Sequence, residues 1–360
     1  MRALLLALLA LLALLSVPAH AIDWEMRASE RDIVLRDFVF AGGERMDVRM
    51  HVTTLGAPHR DRRGRIDNAV MVLHGTGGSG KQFFRAQFAD ELYGPGQPLD
   101  IERYYVILPD NLGHGGSSKP SDGMRMRFPR YNYADMVAAQ KRMLEQGLGV
   151  RGLKLILGTS MGCMHAFVWG TTYPGFAERL APFACNANAI AGRNRVWRKM
   201  AIDAIRADPA WNGGNYTAPP QAGLRTARDL SLIAGSNPVA WQALYPTREK
   251  AEAFLGQAET AYAATQNDAN DWIYQLDASR DYDPSPRLAR IKVPVLWVNS
   301  ADDFINPPEL GLAEKLVTLM PRARFVLIPM TAETKGHGTH TWAKFWKADL
   351  VKLLAEAPTR

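Results

Sequence analysis

The stretch LILGTSMGCMH, residues 155–165, constrains this chain more than any other. A short strand-like run at 153–157 ends in Gly158-Thr159-Ser160-Met161-Gly162 and passes directly into a segment of helical spacing, 161–173. Glycines two positions either side of a serine permit a sharp strand-to-helix turn. That turn lifts the hydroxyl clear and aims the Met161 N–H at the place where negative charge would develop. A bare Gly-x-Ser-x-Gly arises easily by chance, but set between a strand and a helix it designates Ser160 as a nucleophile. A serine hydroxyl attacks only when a neighbouring base takes its proton and donors await the oxyanion. The rest of the sequence must supply both.

Apolar, β-branched runs recur at 69–73, 104–108, 153–157, 180–184, 293–298 and 324–328, each bounded by Gly, Pro, Asn or Asp, with helical patterns between several of them. This is the signature of an α/β fold with a mostly parallel central sheet and helices on both faces. Residues 33–54 alternate apolar and polar around Ala41-Gly42-Gly43 and predict an antiparallel hairpin at one edge. From 187 to 281 the pattern changes. Helical spacing appears at 197–207, 223–233 and 247–265, broken by Asn212-Gly213-Gly214-Asn215 and Pro219-Pro220, with no strand run. The expected organisation is therefore a core of residues 22–186 and 282–360 with a helical insertion, 187–281, over the end of the sheet.

The second oxyanion donor is expected from the loop after the 69–73 strand, His74-Gly75-Thr76-Gly77-Gly78-Ser79-Gly80. Thr76 or Gly77 would give the N–H, and Gly77 would lie against the substrate. This loop lacks the Gly-Lys-Ser/Thr ending of a phosphate-binding P-loop. The acid and the base should follow in that order, at the carboxyl ends of later strands. Asp302 and Asp303 follow the 293–298 strand, and Gly336-His337-Gly338 lies in the loop after 324–328. Asp303, four residues before Pro307-Pro308, is the chosen acid and His337 the chosen base, with His340 assigned to the start of the last helix.

The chain opens with Arg2, an apolar stretch at 3–15 and the small-x-small site Ala19-His20-Ala21, which reads as a secretory signal peptide over residues 1–21. The expected location is periplasmic or secreted, with no membrane span after cleavage. Formal net charge is +7. The basic cluster at 59–65 lies in a Pro- and Gly-flanked connection without aromatics, so nucleic acid is not an expected partner. The two cysteines, Cys163 and Cys185, exclude a disulfide framework. Two separate buried thiols are the expectation, with pairing open if the compartment is oxidising. His337 and His340 lack the pattern of a metal site, and neither metal nor cofactor is expected.

The chain resembles the α/β-hydrolases, and within them the homoserine O-acetyltransferase branch. The resemblance rests on Phe128-Pro129 and Tyr133-Ala134-Asp135-Met136-Val137-Ala138-Ala139-Gln140 before Ser160, on Ser160-Met161-Gly162-Cys163-Met164 and Tyr173-Pro174, on Asp208-Pro209-Ala210-Trp211-Asn212-Gly213-Gly214-Asn215-Tyr216, and on Gly223-Leu224-Arg225-Thr226-Ala227-Arg228. It implies a Ser160–His337–Asp303 triad, a helical lid that narrows an acyl tunnel, an Arg228 that grips an acceptor carboxylate, and a homodimer through the lid. Two departures stand out. Gly338 occupies the place of an acid that holds the homoserine amine, and His74-Gly75-Thr76-Gly77 replaces the family's His-x-Leu-Thr-Gly. A cationic amine then lacks a partner in a desolvated tunnel, and an exported enzyme meets water and esters more than acyl-coenzyme A. The sequence thus favours a serine esterase acting on a small-molecule ester. Acyl transfer to an alcohol stands second, and a non-catalytic binding protein on the same scaffold stands third.

Overall fold

The computed structural model describes residues 23–263 and 268–358, so the signal-peptide reading of 1–21 lies outside the described residues. β1 (Ser29–Val39) and β2 (Arg45–Leu55) form the antiparallel edge hairpin. They join β3 (Ala69–Leu73), β4 (Tyr105–Pro109), β5 (Leu155–Thr159), β6 (Leu180–Phe183), β7 (Val295–Ser300) and β8 (Ala323–Ile328) in one sheet of order β1-β2-β4-β3-β5-β6-β7-β8. From β4 onward every pairing is parallel. β3, β4, β5 and β7 are buried at every residue, which is why they read as unbroken apolar runs: both faces of the sheet are covered.

The alternation within those strands sorts two cores. Val70, Val72, Leu155, Leu157, Leu296 and Val298 face one layer. There α1 (Ala86–Leu92) supplies Phe88 and Leu92. Met71, Leu73, Ile156 and Trp297 face the other. There α2 (Tyr133–Arg142) and α3 (Met161–Thr172) supply Met136, Val137 and Phe167.

Between β6 and β7 the described residues contain helices and turns and no strand: α4 (Gly192–Ala207), α5 (Gln221–Ala234), α6 (Pro238–Leu244), α7 (Arg248–Ala263) and α8 (Ala269–Asp277). Their own small core joins Trp197, Ile202, Ile205, Leu224, Ala227 and Ile273. A Cβ on Gly223 would come within 2.6 Å of the Ala204 carbonyl, so glycine there sets how closely α5 approaches α4. The α6 and α8 helices are additional to the three read from spacing. Asn237 caps α6 by accepting from Ala240 N–H at 2.8 Å, with Pro238 at its first position. The α8 helix buries Asn270, Asp271 and Gln275 beside Ala269, Ile273 and Leu276, so polar residues interrupt its short apolar face. Beyond β7, α9 (Leu312–Val317) and α10 (Lys347–Ala355) complete the two layers, and none of the described helices is long and apolar enough to cross a membrane.

The two cysteines are not separate thiols. Cys163, in the first turn of α3, is bridged to Cys185, just past β6, across a Cα–Cα distance of 5.9 Å. Neighbouring strands β5 and β6 carry both residues to the same end of the sheet, a proximity that linear spacing does not reveal. Replacing both cysteines with alanine is expected to lower the unfolding free energy by about 2–4 kcal/mol, read from a urea titration. An unchanged midpoint would mean that the thiols are unbridged in solution.

Candidate functional site

β5 runs without interruption to Thr159, and α3 starts at Met161, leaving one residue for the turn. Ser160 makes it at φ 55°, ψ −111°. A non-glycine residue pays about 1–3 kcal/mol to hold such a conformation, so its surroundings must over-determine it. A Cβ on Gly158 would sit 1.9 Å from the Gly162 carbonyl oxygen, and one on Gly162 would sit 2.2 Å from that of Leu73. Both glycines are therefore required sterically. Ser160 N–H donates to the Phe183 carbonyl at 2.9 Å, which ties the turn to β6.

Asp303 and His337 reach Ser160 from the ends of β7 and β8. His337 Nδ1 lies 2.8 Å from Asp303 Oδ2, and Nε2 lies 2.8 Å from Ser160 Oγ. The carboxylate can only accept, so Nδ1 carries the proton and Nε2 is left to accept from the serine hydroxyl. Asp303 is fully buried and also accepts from the N–H of Ile305 and of Asn306 and from Asn306 Nδ2, at 2.8, 3.1 and 3.0 Å. Burial pushes this carboxyl up. The His337 charge, its hydrogen bond and those from Asn306 outweigh burial and hold it below the usual carboxylate range.

The neighbouring Asp302 points elsewhere. It accepts from Asn237 Nδ2 and Thr334 Oγ1, and from Gly336 N–H at 2.9 Å, fastening the loop that carries His337. His340 does not begin the last helix, which starts at Lys347. It lies in the same short helical turn as His337, its ring 5.0 Å away and its Nδ1 donating to the His337 carbonyl. Burial and the His337 charge push its imidazole down, so it braces the backbone as a neutral ring.

The oxyanion candidates are backbone groups. Met161 is the first residue of α3, so its N–H has no intrahelical acceptor. Gly75 passes beside the nucleophile, where a Cβ would be 3.2 Å from Ser160 Cβ, and Thr76 follows it. Gly77 is one step too far round the loop. It lines a separate polar cavity of about 570 Å³ with Asp271 and Gln275.

Ser160 and His337 open into a cavity of about 950 Å³, walled by the segment from Ala184 into α4, the end of α5 and the loop after β7. Arg228 is not among its lining residues. The face of α5 that carries Arg228 turns toward α7, where its guanidinium lies 5.7 Å from the Tyr262 ring. Two cations of α4 line the cavity, the exposed Arg193 and Arg198, which is 2% exposed. Two residues were thus missed in the sequence. Asn306 is readable from its position three residues after Asp303. Arg198 is readable as a cation in the buried 198, 201, 202, 205 series of an amphipathic helix.

Comparison with known proteins fits this geometry. A sequence model of the α/β hydrolase fold matches residues 68–333. The chain is 30% identical to a "Probable acyltransferase" of Methanothermobacter thermautotrophicus over 81% of its own length and 88% of the relative's. It is 31% identical to a homoserine O-acetyltransferase of Pelobacter propionicus over 81% and 86%. The crystal structure of homoserine O-acetyltransferase from Bacillus anthracis superposes with a TM-score of 0.80 over 92% of this chain and 99% of that one, at 22% identity, a likeness of fold. The acyltransferase relatives overturn the preference for an exported esterase drawn from the sequence, since these sequence relatives, 30% or more identical and matched over most of their length, carry acyl-transfer names. This chain belongs to the α/β hydrolase fold family, in its homoserine O-acetyltransferase-like branch.

Proposed function

We propose that the protein is an acyltransferase that moves an acyl group from an ester or thioester donor to the hydroxyl of a small-molecule acceptor, through an acyl-enzyme on Ser160. The observation that favours transfer over hydrolysis is the likeness to acyltransferases over two thirds or more of this chain, and the line from Asp303 through His337 to Ser160 Oγ, two contacts of 2.8 Å opening on a cavity of about 950 Å³, supports the chemistry.

Ser160 Oγ attacks the donor carbonyl as His337 Nε2 takes the hydroxyl proton. The N–H groups of Met161 and of Thr76 receive the oxyanion. Collapse breaks the bond to the leaving oxygen or sulfur, which takes the proton from His337. The acceptor hydroxyl then attacks the acyl-serine carbonyl, gives its proton to His337, and Ser160 leaves with that proton restored. Asp303 stays anionic and fixes the imidazole tautomer throughout.

The acceptor lacks an ammonium group next to its hydroxyl. The cavity's carboxylates are Asp302, Asp303 and Glu309. Asp302 and Asp303 already accept several hydrogen bonds each, and Glu309 is exposed at the rim. With Gly338 after the histidine, an amine would be desolvated there without an anion. The apolar stretch at residues 3–15 and the Cys163–Cys185 bridge support a periplasmic or secreted location, where a disulfide persists.

Given a p-nitrophenyl ester and a panel of neutral or acidic alcohols, the purified protein is expected to accumulate acylated alcohol ahead of free acid. Acid release indifferent to every alcohol would sink the transfer reading. In the same assay Ser160→Ala is expected to abolish turnover with the fold intact by circular dichroism. Asp303→Asn, which inverts the histidine tautomer, is expected to lower kcat about 10⁴-fold. Retention of most activity by Asp303→Asn would remove Asp303 from the mechanism.

A further inference from the structure

Five described residues other than glycine hold a positive φ: Asp37, Arg125, Ser160, Ala184 and Asn212. Asp37, Arg125 and Asn212 are exposed. Ser160 and Ala184 both line the cavity, and the chemistry of the triad accounts for only the first. Ala184 takes φ 63° while buried, with no side chain that could hydrogen-bond to its own backbone, so the fold around it must hold it there. It lies where the backbone leaves β6, between two residues that are tied to the site. The Phe183 carbonyl accepts from Ser160 N–H at 2.9 Å. The Cys185 sulfur is bonded to Cys163, three residues after the nucleophile. The Ala184 carbonyl itself accepts at 3.1 Å from Asn306 Nδ2, which also donates to Asp303 Oδ2 at 3.0 Å. That oxygen is the one facing His337 Nδ1. Three consecutive residues thus hold the nucleophile, the partner of the acid, and the bridge.

A residue kept in a strained conformation relaxes when one of its fixed ends is released. Parallel pairing with β5 and β7 fixes the Phe183 end. At the other end, Cys185 donates its N–H to Asn299 Oδ1 at 3.1 Å and accepts at its carbonyl from Trp297 Nε1 at 2.9 Å, both on β7. The bridge adds a covalent tie to the helix that carries the nucleophile. Relaxation at residue 184 would turn its carbonyl away from Asn306, which would lose the acceptor that sets its amide against Asp303. We propose that the Cys163–Cys185 bridge is a positioning element of the site. By holding Ala184 in its left-handed conformation it keeps Asn306, and through it Asp303 and His337, aligned on Ser160. The bridge then governs rate as well as stability, and the chain reaches full activity only where its thiols are oxidised. This rests on an acyl-enzyme at Ser160.

The test is a double-mutant cycle between the bridge and Ala184, read as the rate of Ser160 acylation by p-nitrophenyl acetate well below the Tm of every variant. Removing the bridge with Cys163→Ala and Cys185→Ala is expected to lower that rate about 10-fold, the weight of one strained residue. Glycine takes a positive φ without steric cost, so in the Ala184→Gly background the same substitutions are expected to lower the rate by no more than about twofold. The loss of Tm on removing the bridge should be the same in both backgrounds, because it arises largely from the unfolded chain. A bridge that only stabilised the fold would move Tm in both and the rate in neither. In an Asn306→Leu background, where the link to Asp303 is gone, the bridge is expected to lose its effect on rate as well. Reducing the native protein with dithiothreitol, which leaves as its own cyclic disulfide, should slow acylation by the same factor as the substitutions, and reoxidation should restore it.

An undiminished loss of rate in the Ala184→Gly background overturns the proposal, because the bridge then acts otherwise than through Ala184. An acylation rate indifferent to reduction overturns it too, and that arm depends on no variant folding. So do free thiols titrated in the denatured native protein. If p-nitrophenyl acetate adds no mass at Ser160 of the oxidised native protein, the acyl-enzyme reading itself has failed, and the proposal falls with it.

Discussion

The site depends on one backbone conformation, Ser160 at φ 55°, ψ −111°. Everything near it serves to hold that residue where its own backbone would not stay. The parallel pairing of β5 with β3 and β6 fixes the approach, α3 fixes the exit, and the close passage of Gly162 against the Leu73 carbonyl leaves no other path between them. The Cys163–Cys185 bridge then joins the first turn of α3 covalently to the end of β6. Between β5 and α3 the positive φ is confined to Ser160 because the elements on either side are regular and buried.

A second constraint shapes the loop opposite. His74 is fully buried, and its Nε2 accepts from the Asn111 N–H at 2.9 Å, so the ring is neutral and Nδ1–H donates to the Gly75 carbonyl at 2.8 Å. Burial pushes its pKa down, which agrees with that tautomer. Asn111 is held in turn by Gln140 of α2, and Gln140 accepts from Trp169 Nε1 of α3 at 2.6 Å. The polar chain thus runs from the helix that follows the nucleophile, through α2, to the loop that faces it. A buried network of this kind is useful only when fully satisfied, and it makes the position of Gly75 and Thr76 a property of the core instead of a surface loop.

Much of this was legible in the residues. Continuous apolar runs gave away the covered parallel strands, and the order serine, acid, histidine at successive strand ends pointed to the three side chains that meet. Strand limits were less legible. β5 extends two residues past the apolar run because Gly158 and Thr159 pair with β6, although a glycine followed by a polar residue reads as the end of a strand. What could not be read was proximity created by the fold. Cys163 and Cys185 meet because β5 and β6 are neighbours. Arg228 turned away because of how α5 rotates against α7, whereas Arg198 was hidden as one cation among several in α4. Helix α8 escaped because its apolar face, Ala269, Ile273 and Leu276, is short and interleaved with Asn270, Asp271 and Gln275, which are buried by hydrogen bonding.

The three side chains at Ser160 cannot by themselves separate hydrolysis from transfer, since water and an alcohol surrender a proton to the same imidazole nitrogen. The distinction lies in what else the cavity binds, because an acceptor must out-compete water by being held at His337 Nε2 when the acyl-serine forms. Charge gives the clearest account of that binding. The interior carboxylates Asp302 and Asp303 are consumed in positioning His337 and its loop, so among the described residues lining the cavity the remaining carboxylate is the exposed Glu309.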